Sequence, residues 1–515
     1  MLKRIMISSI ACFSAILGNA QEVKSSNKFN TQKFDRTMVP EVIYDENKDL
    51  VELYYKAWEL AYKKKKIQDG IPQSPYMDEA LWDSDIWIWD TAFMTFFCKY
   101  APDYYPGIES LDNFYLPMYD NYKSKVRIHI LDNPPLFAWA EYEYFKFTND
   151  WSRINNLLLN KKYLQKHFRW FDTVKPGYKM PHSPTGANVR LKKLTNGYVW
   201  EGGRSGMDNT PRGRKGAKAT KSRPNNPNML WVDAIAQQGL SALMIAKLAG
   251  KINQKEIEKE YLKKYHDIKN TVNKYYFDYQ DGTYYDINVK DNSFMKCLTP
   301  ASFWPMLAMM PNQKQADLMV KTVENPQLLG GVVPWVTVAR NDADFIAENG
   351  NYWRGSVWLP TAYMGIKALE RNGYEKLADK TASQVIEHML KTYKQYSPHT
   401  IWECYNPNKP EPAYHGSRIV KEDFCGWSAL GPISLFIENY LGFYDIDAQE
   451  NTVKWRKYRS GRHGIKNLKF GDVTTSIIAE NINKVSVKSN KNYTLIINKK
   501  PFQIKQGSNT ITLGN

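Results

Sequence analysis

From Ser356 to Gln395 the chain reads SVWLPTAYMGIKALERNGYEKLADKTASQVIEHMLKTYKQ. Apolar residues at Ala362, Tyr363, Ile366 and Leu369, and again at Ala378, Ala382, Val385, Ile386 and Met389, keep the spacing of three and four that gathers them on one helix face. Asn372-Gly373 breaks the pattern once, as a turn does. The stretch therefore predicts helices over 356–372 and 375–395, folded back on each other as an antiparallel hairpin. Working outward, the same period predicts helices near 48–67, 89–100, 105–120, 134–149, 151–172, 228–249, 254–276, 300–310, 312–323 and 427–440, about twelve in all. Asn149-Asp150 and Gly250 are further turn signals between them. Six hairpins of this kind would close into a double ring of helices around one core.

From about residue 445 the period changes to two. Val485-Ser486-Val487, Tyr493-Thr494-Leu495-Ile496-Ile497 and Thr510-Ile511-Thr512-Leu513 are short, β-branched and alternating, and predict a small C-terminal β unit. The expected organisation is a signal peptide over 1–20, a leader over 21–47, the helical domain over 48–444 and the β unit over 445–515. Between about 176 and 227 the pattern is not helical: Pro176-Gly177, Pro181, Pro184 and Gly202-Gly203 interrupt it, and Arg212 to Arg223 is polar and basic. A loop that long inside a compact domain is a place to look for chemistry.

Length and composition bound the function. At 515 residues, 43% hydrophobic and 24% charged, the chain has the apolar content to build a large core and is not a disordered segment. Thirty-four Tyr and 16 Trp supply flat apolar faces with polar edges. The formal charge of +17 would suit a nucleic acid, an anionic membrane or an acidic polysaccharide. No zinc-finger spacing, RNA-recognition signature or phosphate-binding glycine loop accompanies it, and Lys63 to Lys66 reads as the basic end of an amphipathic helix. Partners are thus expected to be oligosaccharide or glycan substrate, with no nucleic acid and no membrane insertion, since no later stretch has the apolar length of a membrane span.

Lys3 and Arg4 precede an apolar run from Ile5 to Leu17 and the small residues Gly18 and Ala20, which predicts cleavage before Gln21 and a periplasmic or secreted protein. Ser9-Ile10-Ala11-Cys12 is a rival lipoprotein box, with a shorter apolar core before it. Cys98, Cys297, Cys404 and Cys425 are far apart without metal-ligand spacing and read as buried free thiols; no metal and no cofactor is expected.

Four constellations bear chemistry. Trp82-Asp83-Ser84-Asp85-Ile86-Trp87-Ile88-Trp89-Asp90 reads as a helix start with core tryptophans, or as a platform on which aromatic faces take a sugar ring while carboxylates bind its hydroxyls. Trp200-Glu201-Gly202-Gly203-Arg204-Ser205-Gly206-Met207-Asp208-Asn209-Thr210-Pro211-Arg212 reads as an Asx turn before proline, or as a glycine-rich loop holding Asp208 in a partly desolvated place suited to a general acid. Asn349 to Trp358, containing Tyr352, Trp353 and Arg354, is a packed helix entry or the wall of a sugar subsite. Trp402-Glu403-Cys404-Tyr405-Asn406-Pro407, followed by Trp427, offers a second carboxylate that would complete the pair a glycosidic hydrolysis needs.

Taken in order, Ser205-Gly206-Met207-Asp208-Asn209-Thr210-Pro211-Arg212, Tyr352-Trp353-Arg354-Gly355, Trp402-Glu403-Cys404-Tyr405-Asn406-Pro407 and Gly426-Trp427-Ser428-Ala429-Leu430 resemble the motifs of glycoside hydrolase family 63 and the trehalase-like clan, especially its mannosylglycerate hydrolase-like bacterial members. Trp87-Ile88-Trp89-Asp90 and Phe303-Trp304-Pro305 fit the same pattern, so the resemblance runs from about 50 to 442. It implies an all-α fold class, an (α/α)6 barrel, and an inverting glycoside hydrolase acting on an α-linked sugar. It also implies Asp208 as catalytic acid and Glu403 as catalytic base; Trp87, Trp89, Asp90, Arg212, Tyr352, Trp353, Arg354, Trp402 and Trp427 are the expected substrate-binding residues, on helix starts and loops that would gather at one end of the barrel. Glu403 is expected to be kept ionised by a nearby cation such as Arg354, and Asp208 to be kept protonated by burial. The chain departs from the family's motifs at Gly213-Arg214-Lys215 and at Asn408-Lys409-Pro410-Glu411-Pro412, both beside the expected pocket.

Two readings from other classes remain open at this level. A helical toroid also suits a polysaccharide lyase acting on an acidic glycan, although 8 His and carboxylate-centred motifs fit that chemistry less well. A non-catalytic glycan-binding protein would use the aromatic platforms without an acid and a base.

Overall fold

The computed structural model describes residues 33–77, 85–213 and 226–514. The expected signal peptide, the first part of the leader, Trp82-Asp83-Ser84 and Arg214-Lys215 lie outside the described residues. Helices stand where the spacing predicts them: α1 (Lys48–Lys63), α2 (Ile88–Cys98), α3 (Asp112–Tyr119), α4 (Phe137–Thr148), α5 (Tyr163–Thr173), α6 (Val232–Lys251), α7 (Lys255–Tyr275), α8 (Trp304–Leu307), α9 (Gln313–Glu324), α10 (Leu359–Arg371), α11 (Glu375–Gln395) and α12 (Gly431–Tyr440). The last is wound as a π-helix and follows a 3-10 turn, Trp427–Leu430.

The even-numbered helices touch in cyclic order. α2 packs on α4, α4 on α6, α6 on α8, α8 on α10, α10 on the Trp427–Leu430 turn and α12, and these return to α2. Every residue of α2 is buried, as is nearly all of α6. A helix apolar on all sides has no face to give to water, so it belongs inside the ring. The odd-numbered helices lie outside: α1 packs on α12, α5 and α7 on α6, and α11 on both α10 and α12. In α7 only Tyr261, Tyr265 and Val272 are buried, the single stripe of a helix with one covered face.

Some expectations are corrected. The all-α description does not hold in full, because short strands rim one end of the ring; one three-stranded parallel sheet joins Asp85–Ile86, Arg127–Ile130 and Thr185–Ala187. The helix expected over 151–172 is broken, with Trp151–Asn155 running into a π turn, Asn156–Asn160, before Lys162 at φ +54° starts α5. Lys65–Lys66 do not end a helix but pair with Tyr76–Met77 as strand. The leader is not separate from the rest: Glu41–Tyr44 pairs antiparallel with His463–Phe470 and becomes the edge of a C-terminal sheet.

The C-terminal unit has two sheets, one ordered Glu41–Tyr44, His463–Phe470, Val473–Ala479, Lys484–Ser489 and Gly507–Thr512, the other Asp445–Asp447, Thr452–Trp455, Tyr493–Ile497 and Lys500–Ile504. Burial alternates along Val473–Ala479 as the period of two requires, and Val485, Val487 and Leu495 join the same apolar cluster as the helices. Among the described residues no helix is long and apolar enough to cross a membrane.

The two ends of the ring differ. At the C-terminal ends of the inner helices, Glu438 pairs with Lys99 at 3.5 Å and Lys367 at 2.7 Å, deep among aromatic rings. At the N-terminal ends, Trp87 precedes α2 and Trp358 precedes α10, neither giving a side-chain cap, and the chain opens into a bowl.

Candidate active site

The bowl encloses a cavity of about 710 Å³. Asp208 and Glu403 both line it, with Trp87, Trp89, Asp90, Tyr352, Trp353 and Trp427 around them. These residues come from segments more than three hundred positions apart, brought together because each stands just before or within the first turn of an inner helix, or on a loop leading to one.

The Asp208 loop is built for close approach. Gly206 sits at φ +84° with its backbone against the Trp89 indole, and a Cβ there would lie 2.8 Å from the ring. Only glycine satisfies both conditions. Asp208 itself is only half-buried, so the deep burial expected to keep it protonated falls on Glu403 instead. Arg212 ends the loop as an anchor: its guanidinium forks onto Asp233 at 2.7 and 2.9 Å and onto Asp286 at 2.9 and 2.6 Å, and lies 4.4 Å over the Trp231 ring. Asp286 also accepts from the Val232 N–H at 2.9 Å. Five N–H donors in a rigid plane match two carboxylates, and all three residues are buried. Arg212 therefore cannot present donors to a sugar; it ties the loop to the start of α6 and to strand Asp286–Asn288.

Arg354 is likewise buried and paired within the wall. It pairs with Asp344 at 2.6 Å, and its Nε–H donates to the Asn209 carbonyl at 2.8 Å. Trp402 is buried edge-on against Tyr396, and its carbonyl accepts from Ser428 Oγ at 2.8 Å. Neither lines the bowl. Both are corrections to the expected binding set: the Arg354 guanidinium is paired within the wall, and the Trp402 ring is packed there.

Glu403 is deeply buried at 2% exposure, and its two oxygens face different donors. Tyr352 donates its hydroxyl proton to Oε1 at 2.9 Å, and the Lys421 backbone N–H donates to Oε2 at 3.2 Å. Burial pushes its carboxyl up from the ordinary range; the Lys421 ammonium, the Lys421 N–H and the Tyr352 hydroxyl pull the other way, and the negative charge of Asp208 adds to the rise. The cation that favours its ionised form is thus Lys421, not Arg354 as expected. The Trp427 indole N–H, 3.3 Å from the Glu403 carbonyl, fixes the backbone behind it.

Aromatic faces form the wall. Trp353 stacks on Trp358 with centroids 4.1 Å apart and planes 16° apart, and Trp358 leans on Trp427 at 5.6 Å. Trp87 is half-buried and tilts against His129 at 5.0 Å.

Sequence reasoning missed several lining residues. Asp85 holds Arg127 through two hydrogen bonds of 2.5 and 2.6 Å, and Arg127 with burial opposing keeps its carboxyl below the usual range. Asp85 and Trp358 lay within the stretches already singled out, so their residue types could have drawn notice; Arg127, His129, His415, Arg418 and Lys421 carried no local signal. The four described cysteines are buried and free, and among the described residues no group of three His, Cys, Asp or Glu is placed to hold a metal ion.

Comparison with known proteins places this geometry. Residues 120–425 match the model of the mannosylglycerate hydrolase MGH1-like glycoside hydrolase domain, which spans more than half of the chain. An uncharacterized protein of Borreliella burgdorferi is 25% identical over 90% of this chain and 95% of its own length. The mannosyl-oligosaccharide glucosidase of Saccharomyces cerevisiae is 23% identical over 52% of this chain, which spans 33% of that enzyme's length. Among solved structures, the GH63 mannosylglycerate hydrolase of Thermus thermophilus, in complex with Tris, aligns with TM-score 0.51 at 17% identity over 74% of this chain and 99% of that one. The fold is therefore of the (α/α)6 glycoside hydrolase type.

Proposed function

The chain belongs to the mannosylglycerate hydrolase MGH1-like glycoside hydrolase family and is a glycoside hydrolase, and from that premise we propose that it cleaves an α-linked sugar from an oligosaccharide or glycan with inversion at the anomeric carbon. Family membership removes the lyase and non-catalytic readings. One observation carries the proposal: two carboxylates from distant parts of the chain, Asp208 and Glu403, line one aromatic-walled cavity and act on each other electrostatically.

Asp208 protonates the glycosidic oxygen as the bond breaks, while Glu403 takes a proton from water attacking the opposite face. Burial raises the proton affinity of Glu403 and so strengthens it as a base, while Lys421 and Tyr352 favour the ionised form that the role requires. Inversion needs room for the water, which corresponds to carboxyl groups about 6.5–9.5 Å apart. The partial positive charge at the inner helix N-termini supports negative charge gathered in the bowl. In the same reading the inner and outer helices close as a full (α/α)6 barrel, and the protein is exported through the N-terminal segment, a point that mass spectrometry of the mature N-terminus at Gln21 would test.

The experiment that decides the mechanism is nuclear magnetic resonance of the first-formed product from an α-linked substrate. The β-anomer of the released sugar supports inversion; the α-anomer refutes it.

A further inference from the structure

Two consecutive residues other than glycine occupy the left-handed region beside the site: Asn351 at φ +28° and Tyr352 at φ +65°. Such backbone is unfavourable for a residue that carries a Cβ and persists only where its surroundings over-determine it. The surroundings here are specific. The side-chain amide of Asn209, the residue after Asp208, brackets Tyr352 from both sides: its Nδ2 donates to the Asn351 carbonyl at 3.1 Å and its Oδ1 accepts from the Trp353 N–H at 2.8 Å. The Asn209 carbonyl accepts in turn from Arg354 Nε at 2.8 Å. Asn209 is buried, so these bonds do not compete with water.

Further contacts complete the hold. Ser356 Oγ and the Trp358 indole N–H both donate to the Tyr352 carbonyl. The Gly416 N–H donates to Asn351 Oδ1 at 2.9 Å, and the His415 ring lies flat on the Tyr352 ring, 4.0 Å away with planes 8° apart. What emerges from this hold is the Tyr352 hydroxyl, which reaches Glu403.

We infer that Asn209 is a positioning residue that couples the two carboxylates, clamping the left-handed Tyr352 backbone to the Asp208 loop so that the Tyr352 hydroxyl is delivered to Glu403. The inference rests on the reading of Glu403 as the base. Without the clamp, the remaining contacts no longer tie the left-handed turn to the Asp208 loop, and the hydroxyl shifts away from the carboxylate. A displacement of about 1 Å in such a constellation costs about 10²-fold in rate.

The test uses the full chain and whichever of α-glucosyl fluoride and α-mannosyl fluoride the unsubstituted enzyme hydrolyses faster. Asn209→Ala and Asn209→Asp, the latter of equal size but lacking the donor, are expected to lower kcat about 10²-fold with KM changed less than about threefold. Both are expected to move the acidic limb of kcat/KM to higher pH, because a bond favouring ionised Glu403 is weakened. Combined with Tyr352→Phe, each should add little to the loss caused by Tyr352→Phe alone, since the two residues act through one contact. An unmoved acidic limb, or losses that multiply in the double variant, would overturn the inference. Failure of both Asn209 variants to fold would assign the residue to stability and overturn it as well. Retained turnover in Glu403→Gln would instead strike the assignment of the base, which keeps the two failures apart.

Discussion

The hydroxyl of Tyr352 donates to Glu403 Oε1 at 2.9 Å across fifty-one residues of chain, while the backbone of Lys421 donates to the other oxygen. Each carboxylate oxygen thus has a donor from a different loop, and the proton affinity of Glu403 is set by the balance between these donors and burial.

That balance predicts a pH effect of definite sign. Lys421→Met and Tyr352→Phe each remove a group that favours the ionised carboxylate, so each should raise the Glu403 pKa and shift the acidic limb of kcat/KM upward in pH. At pH values on that limb the variants lose activity relative to the unsubstituted enzyme. A limb that moves downward in either variant refutes the assignment.

Asp208→Asn and Glu403→Gln are each expected to reduce turnover of an α-linked disaccharide by at least about 10²–10⁴-fold, with circular dichroism unchanged. For Asp208→Asn the loss should be smaller on an α-glycosyl fluoride, because fluoride departs with less need of a proton. Equal losses on both substrates would remove Asp208 from the acid role.

Trp87 and Trp353 should separate binding from packing. Trp87 is half-buried, so Trp87→Ala is expected to raise KM about tenfold with little change in melting temperature. Trp353 is only 1% exposed and stacked on Trp358, so Trp353→Ala also leaves a cavity and should cost about 3–5 kcal/mol of stability. Thermal melts alongside KM values distinguish the two.

Arg212→Met should destabilise the fold by about 3–5 kcal/mol, because it leaves Asp233 and Asp286 buried beside each other without their cation. Arg212→Lys is expected to recover only part of the loss, since one ammonium cannot replace a fork held by two carboxylates. Chemical denaturation measures both. Full stability of Arg212→Lys would show that charge alone suffices there.

The helices were legible in the chain because their signal is local. Ala362, Tyr363, Ile366 and Leu369 declare the covered face of α10 within three turns, and the alternation in Val473–Ala479 declares a strand within seven residues. The broken helix at Asn156–Asn160 and the strand at Glu41–Tyr44 were not legible, since the first depends on neighbours that reward a local distortion and the second on a partner at His463–Phe470. Asp208 and Glu403 stood out through ordered motifs and residue type.

Whether a charged neighbour faces the cavity or the wall was settled by distant partners. Arg212 and Arg354 read in the chain as donors to a sugar, and the fold gives them Asp233, Asp286 and Asp344 instead. Lys421, which has no motif around it, arrives beside Glu403 because its loop folds back over the bowl. A guanidinium carries the same donors whether it meets a carboxylate or a hydroxyl, and burial decides: a charge enclosed by protein must be paired there, and the pairing groups come from segments that only packing brings near.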